Sequence, residues 1–283
     1  MTDEPARSSE ARAAAEAALA LVVHHYGARP EFVVIGGLVP ELLCAESAFR
    51  HAGTTDVDVQ VDLEIASGSV NTRGLENALV KAGFRPDTER DWRWIAEDSL
   101  SRVVIKFELL ADLDDKPAPA TFRFDGCERL GAANLRGTGY ATRDLTVQEL
   151  RARIGGVDHP VYVYVAGLAG FLLAKTAAAH SRRKPKDWYD IAFVLLHNDR
   201  GGVTEASSLV TEVFGRELFG SIRTALDDLH ANFADHVAQG SLAYAEQMVL
   251  DHPHLDMVTL LADAVTAIDE FHRAVTATRE TDR

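Results

Sequence analysis

The sequence predicts an α+β protein: a mixed sheet with flanking helices over residues 1–166, then an all-α bundle over residues 167–283. Three observations predict it. Short apolar or alternating runs, divided by Gly-containing turns, recur from Phe32 to Val165, the density of turns a sheet requires. From Leu168 onward nearly every segment carries helical spacing with short connections, which suits a bundle. The change falls near Ala166-Gly167. The 283 residues, 47% hydrophobic and 25% charged, suffice for two modest cores.

The elements follow in order. Ala11, Ala14, Ala15, Ala18, Leu19, Val22 and Val23 form a helical stripe from Ser9 to about His25, with Ser8 or Ser9 as cap and Gly27 as stop. Phe32–Ile35 is a short buried strand. Leu38 to about Phe49 reads as a helix with Pro40 in its first turn. After a loop at Arg50–Gly53, an alternating strand opens at Asp56 and runs to Leu63. Asn71–Lys81 is a helix stopped by Gly83. Trp92–Ala96 and Arg102–Leu110 pair around Glu97-Asp98-Ser99. An acidic loop at Asp112–Pro119 precedes strands at Thr121–Phe124, Ala141–Val147 and Val161–Val165, with Gly131, Gly137 and Gly139 as turn residues. Helices follow near Leu168–Ser181, Asp187–Asn198, Thr204–Phe214, Glu217–Ala238, Ser241–Leu250 and Leu255–Thr278.

Composition excludes several classes. No window has the apolar length of a membrane span. The N-terminus MTDEPARSSE lacks a hydrophobic signal core, so a cytoplasmic location is expected. Cys44 and Cys127 alone give no disulfide framework or zinc quartet. A formal net charge of −14 opposes broad nucleic-acid binding, and no DNA partner is expected. The one sharp basic cluster is Arg182-Arg183-Lys184-Pro185-Lys186.

The chemistry concentrates between Phe32 and Leu63. Asp56 and Asp58 project from one face of a strand, roughly 6–7 Å apart, while Val57, Val59 and Val61 point the other way. Paired carboxylates repel unless a cation lies between them. The upstream Gly36-Gly37 turn exposes backbone amides that suit phosphate. Glu108, on another strand and sharing a face with Lys106, is a candidate third acid, with Asp112 as its fallback. Such an oxygen-rich set suits Mg²⁺. Lys175 lies on an apolar helix, where its ammonium needs an anionic partner. Asp187 and Asp190 lie three apart on one helical face, Asp187 equally placed to cap the helix.

Gly36-Gly37, a helix-length spacer and then Thr54-Thr55-Asp56-Val57-Asp58-Val59 resemble the signature of the polymerase-beta-like nucleotidyltransferase fold. Lys175, Arg182 or Arg183, Lys186, Asp187 and Asp190 are similar to the second block of AbiEii-type nucleotidyltransferases, the toxins of type IV toxin–antitoxin systems. The resemblance covers about residues 32 to 195. It implies an Mg²⁺-dependent transfer of a nucleoside monophosphate from an NTP to an acceptor hydroxyl. RNA such as a tRNA 3′ end is the implied acceptor, and an antitoxin encoded nearby the implied partner. Asp56, Asp58 and Glu108 are the implied metal and catalytic acids, joined by Lys175 and Asp190. Gly36, Gly37, Thr54, Lys175, Arg183, Lys186 and Asp187 are the implied nucleotide-binding residues. Two departures stand out: where the family often has an Arg four residues before the first metal carboxylate, this chain has Ala52, with Arg50 and His51 adjacent, and the third acid is Glu108 where the family more usually has Asp. Two alternatives stay open. One is a nucleotidyltransferase acting on a small molecule such as an aminoglycoside, which a negative chain attracts. The other is a non-catalytic nucleotide-binding protein of the same fold.

Overall fold

The computed structural model describes residues 8–61, 71–98 and 101–277. The continuation of the Asp56 strand through Asp62 and Leu63 lies outside the described residues, as does Ser99 of the turn. The chain divides into two compact units, residues 1–39 with 52–167 and residues 40–51 with 168–283. Each is described by itself.

The first unit is a mixed sheet with helices. Helix α1 (Ser9–Tyr26) is capped by the Ser8 side chain, which accepts from the Ala11 amide, and ends on Gly27 at φ 83°, a conformation glycine adopts without steric cost. Its Ala15, Leu19 and Val22 are buried. Strand β1 (Phe32–Ile35) is wholly buried and pairs antiparallel with β2 (Asp56–Val61) and parallel with β9 (Val157–Ala166). Helix α3 (Thr72–Lys81) follows its Asn71 cap. Strands β3 (Arg85–Pro86), β4 (Arg93–Glu97) and β5 (Val104–Ala111) extend the sheet beyond β2. The path runs β3-β4-β5-β2-β1-β9-β8, β8 being Leu145–Ile154, with β7 (Gly131–Asn134) pairing with β5 and with β6 (Ala120–Arg123). Mixed sheet, flanking helices and C-terminal helices agree with the expected class.

Four readings are corrected, each for an identifiable physical reason. The expected helix Leu38–Phe49 is a single 3₁₀ turn, Gly36–Leu38, and a five-residue helix α2, Val39–Leu43. The Ala45 and Glu46 amides bond to the Asp199 carboxylate at 2.9 and 3.0 Å instead of continuing the helix ladder. The expected strand Ala141–Val147 begins in a 3₁₀ turn, Thr138–Arg143, because Gly137 and Gly139 donate to Asp112 Oδ2 at 2.8 and 3.1 Å. Strand β8 therefore starts at Leu145 and runs to Ile154. It forms with β9 a ten-residue hairpin closed by Gly155 and Gly156, at φ 57° and 87°, positive values that a two-residue hairpin turn with the twist of the strands requires. Gly131, expected in a turn, opens β7, and a Cβ there would meet the Phe122 carbonyl at 2.5 Å. The expected helix Glu217–Ala238 is broken at Gly220, whose φ −91° and ψ −144° are not helical.

The second unit is all-helical apart from its turns: α4 (Leu168–Arg182), α5 (Pro185–His197), α6 (Val203–Phe214), α7 (Ser221–Ala231), α8 (Gln239–Asp251) and α9 (Met257–Thr276), with the segment Pro40–His51 built in. Helix α5 is the centre. Every residue from Asp187 to Leu195 is buried, so it is covered on all sides, and α8 and α9 pack against it. At its end, burial and the neighbouring His252 push the His197 imidazole down to about 4, and the ring lies 3.0 Å from the Tyr244 hydroxyl. An imidazole held neutral in the fold contributes stability above its ordinary pKa of 6.5, lost as pH falls toward 4. Acidification across that window is expected to lower stability by about 3 kcal/mol. Urea midpoints of wild type and His197→Phe measured against pH check this, the variant's curve being flatter.

Candidate active site

The first unit gathers the glycine turn and the acids. Strand β2 buries Val57, Val59 and Val61 and leaves Asp56 and Asp58 half-buried on the opposite face. In register, Asp58 lies beside Ile35 of β1 and Glu108 of β5, and Asp56 lies beside Lys106. Register neighbours share a face, so Asp56, Asp58, Glu108 and Lys106 form one polar field on the adjoining strands β2 and β5.

Gly36 fits this field closely. Its φ is 74°, and a Cβ there would come within 2.1 Å of Asp58 Oδ2. The Asp58 carboxylate thus occupies the space a side chain would take. A Cβ on Gly37 would meet Thr54 at 2.8 Å. Thr54, in turn, accepts the Asp56 amide on Oγ1 at 3.0 Å. The residues spaced as Gly-Gly and Thr-x-Asp-x-Asp in the sequence are in mutual contact. Gly36→Ala is expected to cost about 2 kcal/mol or more from strain at positive φ alone and to displace Asp58; a urea titration measures it, with Gly27→Ala, where nothing lies within 4 Å of the added Cβ, as the strain-only control.

The carboxylates are neutralised locally. Lys106 Nζ lies 3.1 Å from Asp56 Oδ1. Arg93 on β4 stands opposite Glu108 and donates its Nε to Glu108 Oε1 at 2.6 Å, with a second, shorter contact from the same guanidinium. Asp112, the fallback acid, spends its Oδ2 on the Gly137 and Gly139 amides. Among the described residues no three His, Cys, Asp or Glu side chains stand close enough to hold one metal ion. The donor chemistry still fits a hard cation. Asp56 and Asp58 are acceptor-only oxygens on one face beside a glycine turn, and Mg²⁺ commonly takes one or two carboxylates and completes its shell with phosphate and water.

The second unit holds a separate buried charge network. Lys175 on α4 is buried, with Nζ 3.0 Å from Asp187 Oδ1 and 2.8 Å from Asp190 Oδ2. Burial pushes this ammonium's pKa down, but the Asp190 and Asp187 charges outweigh it and hold the pKa above its ordinary value. Arg182 adds a 2.8 Å contact to Asp187. Asp190 also receives His51 Nε2 at 2.9 Å, both side chains buried. His51 is fixed in turn, its amide donating to Glu41 Oε2 at 3.1 Å and its ring packed on Tyr189 and Phe193.

Sequence reasoning placed Lys175 beside an anion and left the identity of that anion open; two carboxylates of its own unit serve. Asp187 is not the helix cap: the cap position is Lys184, without a side-chain capping bond, and Asp187 lies in the first turn with its carboxylate on Lys175 and Arg182. Arg183, at φ 51°, donates to Asp228 on α7 at 2.8 Å. Lys186 is half-buried at the start of α5. The part of Arg93 in holding Glu108, and of His51 and Glu41 in the buried network around Asp190, is not among the expectations from sequence. The place of Arg50 and His51 shortly before the Asp56 strand in sequence was the only signal for His51.

Among the described residues no helix is long and apolar enough to cross a membrane. No protein-family model matches the chain, and no curated protein does. A solved structure of a candidate nucleotidyltransferase from H. pylori is similar at 13% identity, covering 95% of this chain and 97% of that one, with a TM-score of 0.48.

Proposed function

We propose that the protein is an Mg²⁺-dependent nucleotidyltransferase, transferring a nucleoside monophosphate from an NTP to an acceptor hydroxyl. The observation that carries this reading is the contact of Gly36 with Asp58, in register with Glu108. A glycine turn, Gly36 half-buried and Gly37 buried, in direct contact with a strand pair of carboxylates offers phosphate and cation sites side by side. In this reading the Gly36-Gly37 turn, supported by Thr54, receives the phosphates. Asp56 and Asp58 hold Mg²⁺, which when bound neutralises charge on the phosphate oxygens. Glu108, oriented by Arg93, takes the proton of the acceptor hydroxyl as its oxygen bonds to the α-phosphorus. The bond from that phosphorus to the bridging oxygen breaks, and pyrophosphate leaves.

The finer reading follows the resemblance of the Lys175 to Asp190 block to AbiEii-type toxins. We infer an RNA acceptor such as a tRNA 3′ end and a silencing antitoxin. Incubation with each α-labelled NTP, Mg²⁺ and total tRNA tests both levels. Label on RNA, dependent on Mg²⁺, is the expected result. Label on an aminoglycoside instead would keep the transferase and remove the toxin reading; the net charge of −14 favours that acceptor. NTP binding by calorimetry without transfer to any acceptor would leave a non-catalytic nucleotide-binding protein.

A further inference from the structure

Strand β8 is the long terminal strand of the sheet path, ten residues paired on one side with β9 and carrying no strand on the other among the described residues. Terminal strands usually carry charged side chains, a proline, a bulge or a cover that blocks further pairing. Leu145–Ile154 contains no proline, its register with β9 is continuous over all ten residues, and its charges, Glu149, Arg151 and Arg153, are of both signs. The hairpin also exposes Leu145, Val147, Val157 and Tyr162, each at least 41% accessible, more apolar surface than a solvated edge needs.

The direction of the unpaired backbone groups is fixed. Gly167 donates to the Asp144 carbonyl at 2.7 Å, continuing the ladder that sets Leu145 opposite Ala166. Hydrogen-bonded and non-hydrogen-bonded pairs alternate along an antiparallel ladder. The amides and carbonyls of Leu145, Val147, Glu149, Arg151 and Arg153 therefore point away from β9. The side chains of these five residues are exposed on one face, while Leu150 and Ala152 are buried on the other.

We propose that β8 pairs antiparallel with β8 of a second copy of this chain, about a two-fold axis at Leu150, joining the two sheets into one. The strand's charge pattern selects this register. With Leu150 opposite Leu150, Glu149 of each copy faces Arg151 of the other, twice per interface, and Val147 faces Arg153. In the same register the outward-pointing amides and carbonyls of the odd-numbered residues meet as hydrogen-bonded pairs. A slip of two residues one way sets Glu149 against Glu149, and the other way Arg151 against Arg151. Opposed like charges destabilise a ladder and opposed unlike charges support it. Arg151 has no ion-pair partner within its own chain among the described residues, and the second copy supplies one.

Sedimentation equilibrium of the full chain at micromolar concentration tests the pairing. A dimer is expected. Glu149→Arg and Arg151→Glu, each placing like charges opposite each other twice, should each raise the dissociation constant at least roughly tenfold. The double variant, which restores opposite charges in the reversed order, should dimerise like wild type. Hydrogen exchange of the Val147, Glu149 and Arg151 amides should slow with rising protein concentration. A wild-type monomer at these concentrations overturns the proposal, including the case in which β8 serves a different chain. Single variants that dimerise unchanged, or a double variant that stays monomeric while each single variant shows wild-type circular dichroism, overturn it equally.

Discussion

Asp58→Ala should abolish nucleotidyl transfer while leaving the melting temperature unchanged or slightly higher. Two effects oppose each other in the fold. The substitution relieves repulsion from Asp56 on the same strand face and from the neighbouring Glu108. It also opens the space beside Gly36 that the carboxylate fills. Asp58 is only half-buried, so the space can admit water and the loss is small. For transfer, half of the proposed cation pair disappears, and a loss of at least about 10³-fold is expected, the size associated with removing one strong electrostatic contact to a reacting centre. Transfer of labelled nucleotide, followed with and without added Mg²⁺, and a thermal melt provide the two readouts. A fully active Asp58→Ala would remove the metal assignment. A large fall in melting temperature would assign Asp58 to holding the turn at Gly36 instead.

Lys175→Met is expected to act in the opposite sense, first on stability. Removing the ammonium leaves Asp187 and Asp190, 0% and 1% accessible, as neighbouring buried carboxylates. Arg182 still reaches Asp187 and His51 still reaches Asp190. Breaking a buried ion pair from one side costs about 3–5 kcal/mol, and a urea titration measures it. The triple variant Lys175→Met, Asp187→Asn, Asp190→Asn should recover much of the loss, because the uncompensated charge is gone. The raised pKa of Lys175 carries a linkage of defined sign. Its stabilisation is complete below the unfolded value of 10.5 and declines as pH rises through the higher folded value. Stability of wild type relative to Lys175→Met should therefore narrow only in strongly alkaline solution.

The first unit's acidic face was legible because strand alternation and the Gly-Gly spacing are local properties. Asp56, Asp58, Gly36, Gly37 and Thr54 lie where alternation and turn chemistry put them. Glu108 was legible only as a strand-borne acid. That its register neighbour is Asp58 and its counter-ion Arg93 follows from strand pairing, which alternation does not encode. Helix Leu168–Arg182 was readable almost to its ends. The helices after Leu38 and Glu217 were overextended, since a carboxylate as distant in sequence as Asp199 ends the first and Gly220 breaks a hydrophobic period that continues on both sides of it in the second. The turn at Gly155-Gly156 was written in the sequence. The expected strand Ala141–Val147 stops short of it and begins in a segment that Asp112 folds into a turn.

The insertion of residues 40–51 into the second unit has a consequence for biogenesis. On a ribosome this segment emerges well over a hundred residues before the chain it joins: Ala45 waits for Asp199, a separation of 154 residues, and His51 for Asp190, a separation of 139. Until then, the Ala45 and Glu46 amides and the His51 ring lack the carboxylates they pair with in the fold and belong to a nascent chain whose second unit cannot close. Contacts of such long separation slow folding, and a stop or cleavage near residue 168 would strand the segment on a fragment that lacks the Asp190 and Asp199 carboxylates it bonds to. The two units are therefore separable on paper by compactness but not by a single cut.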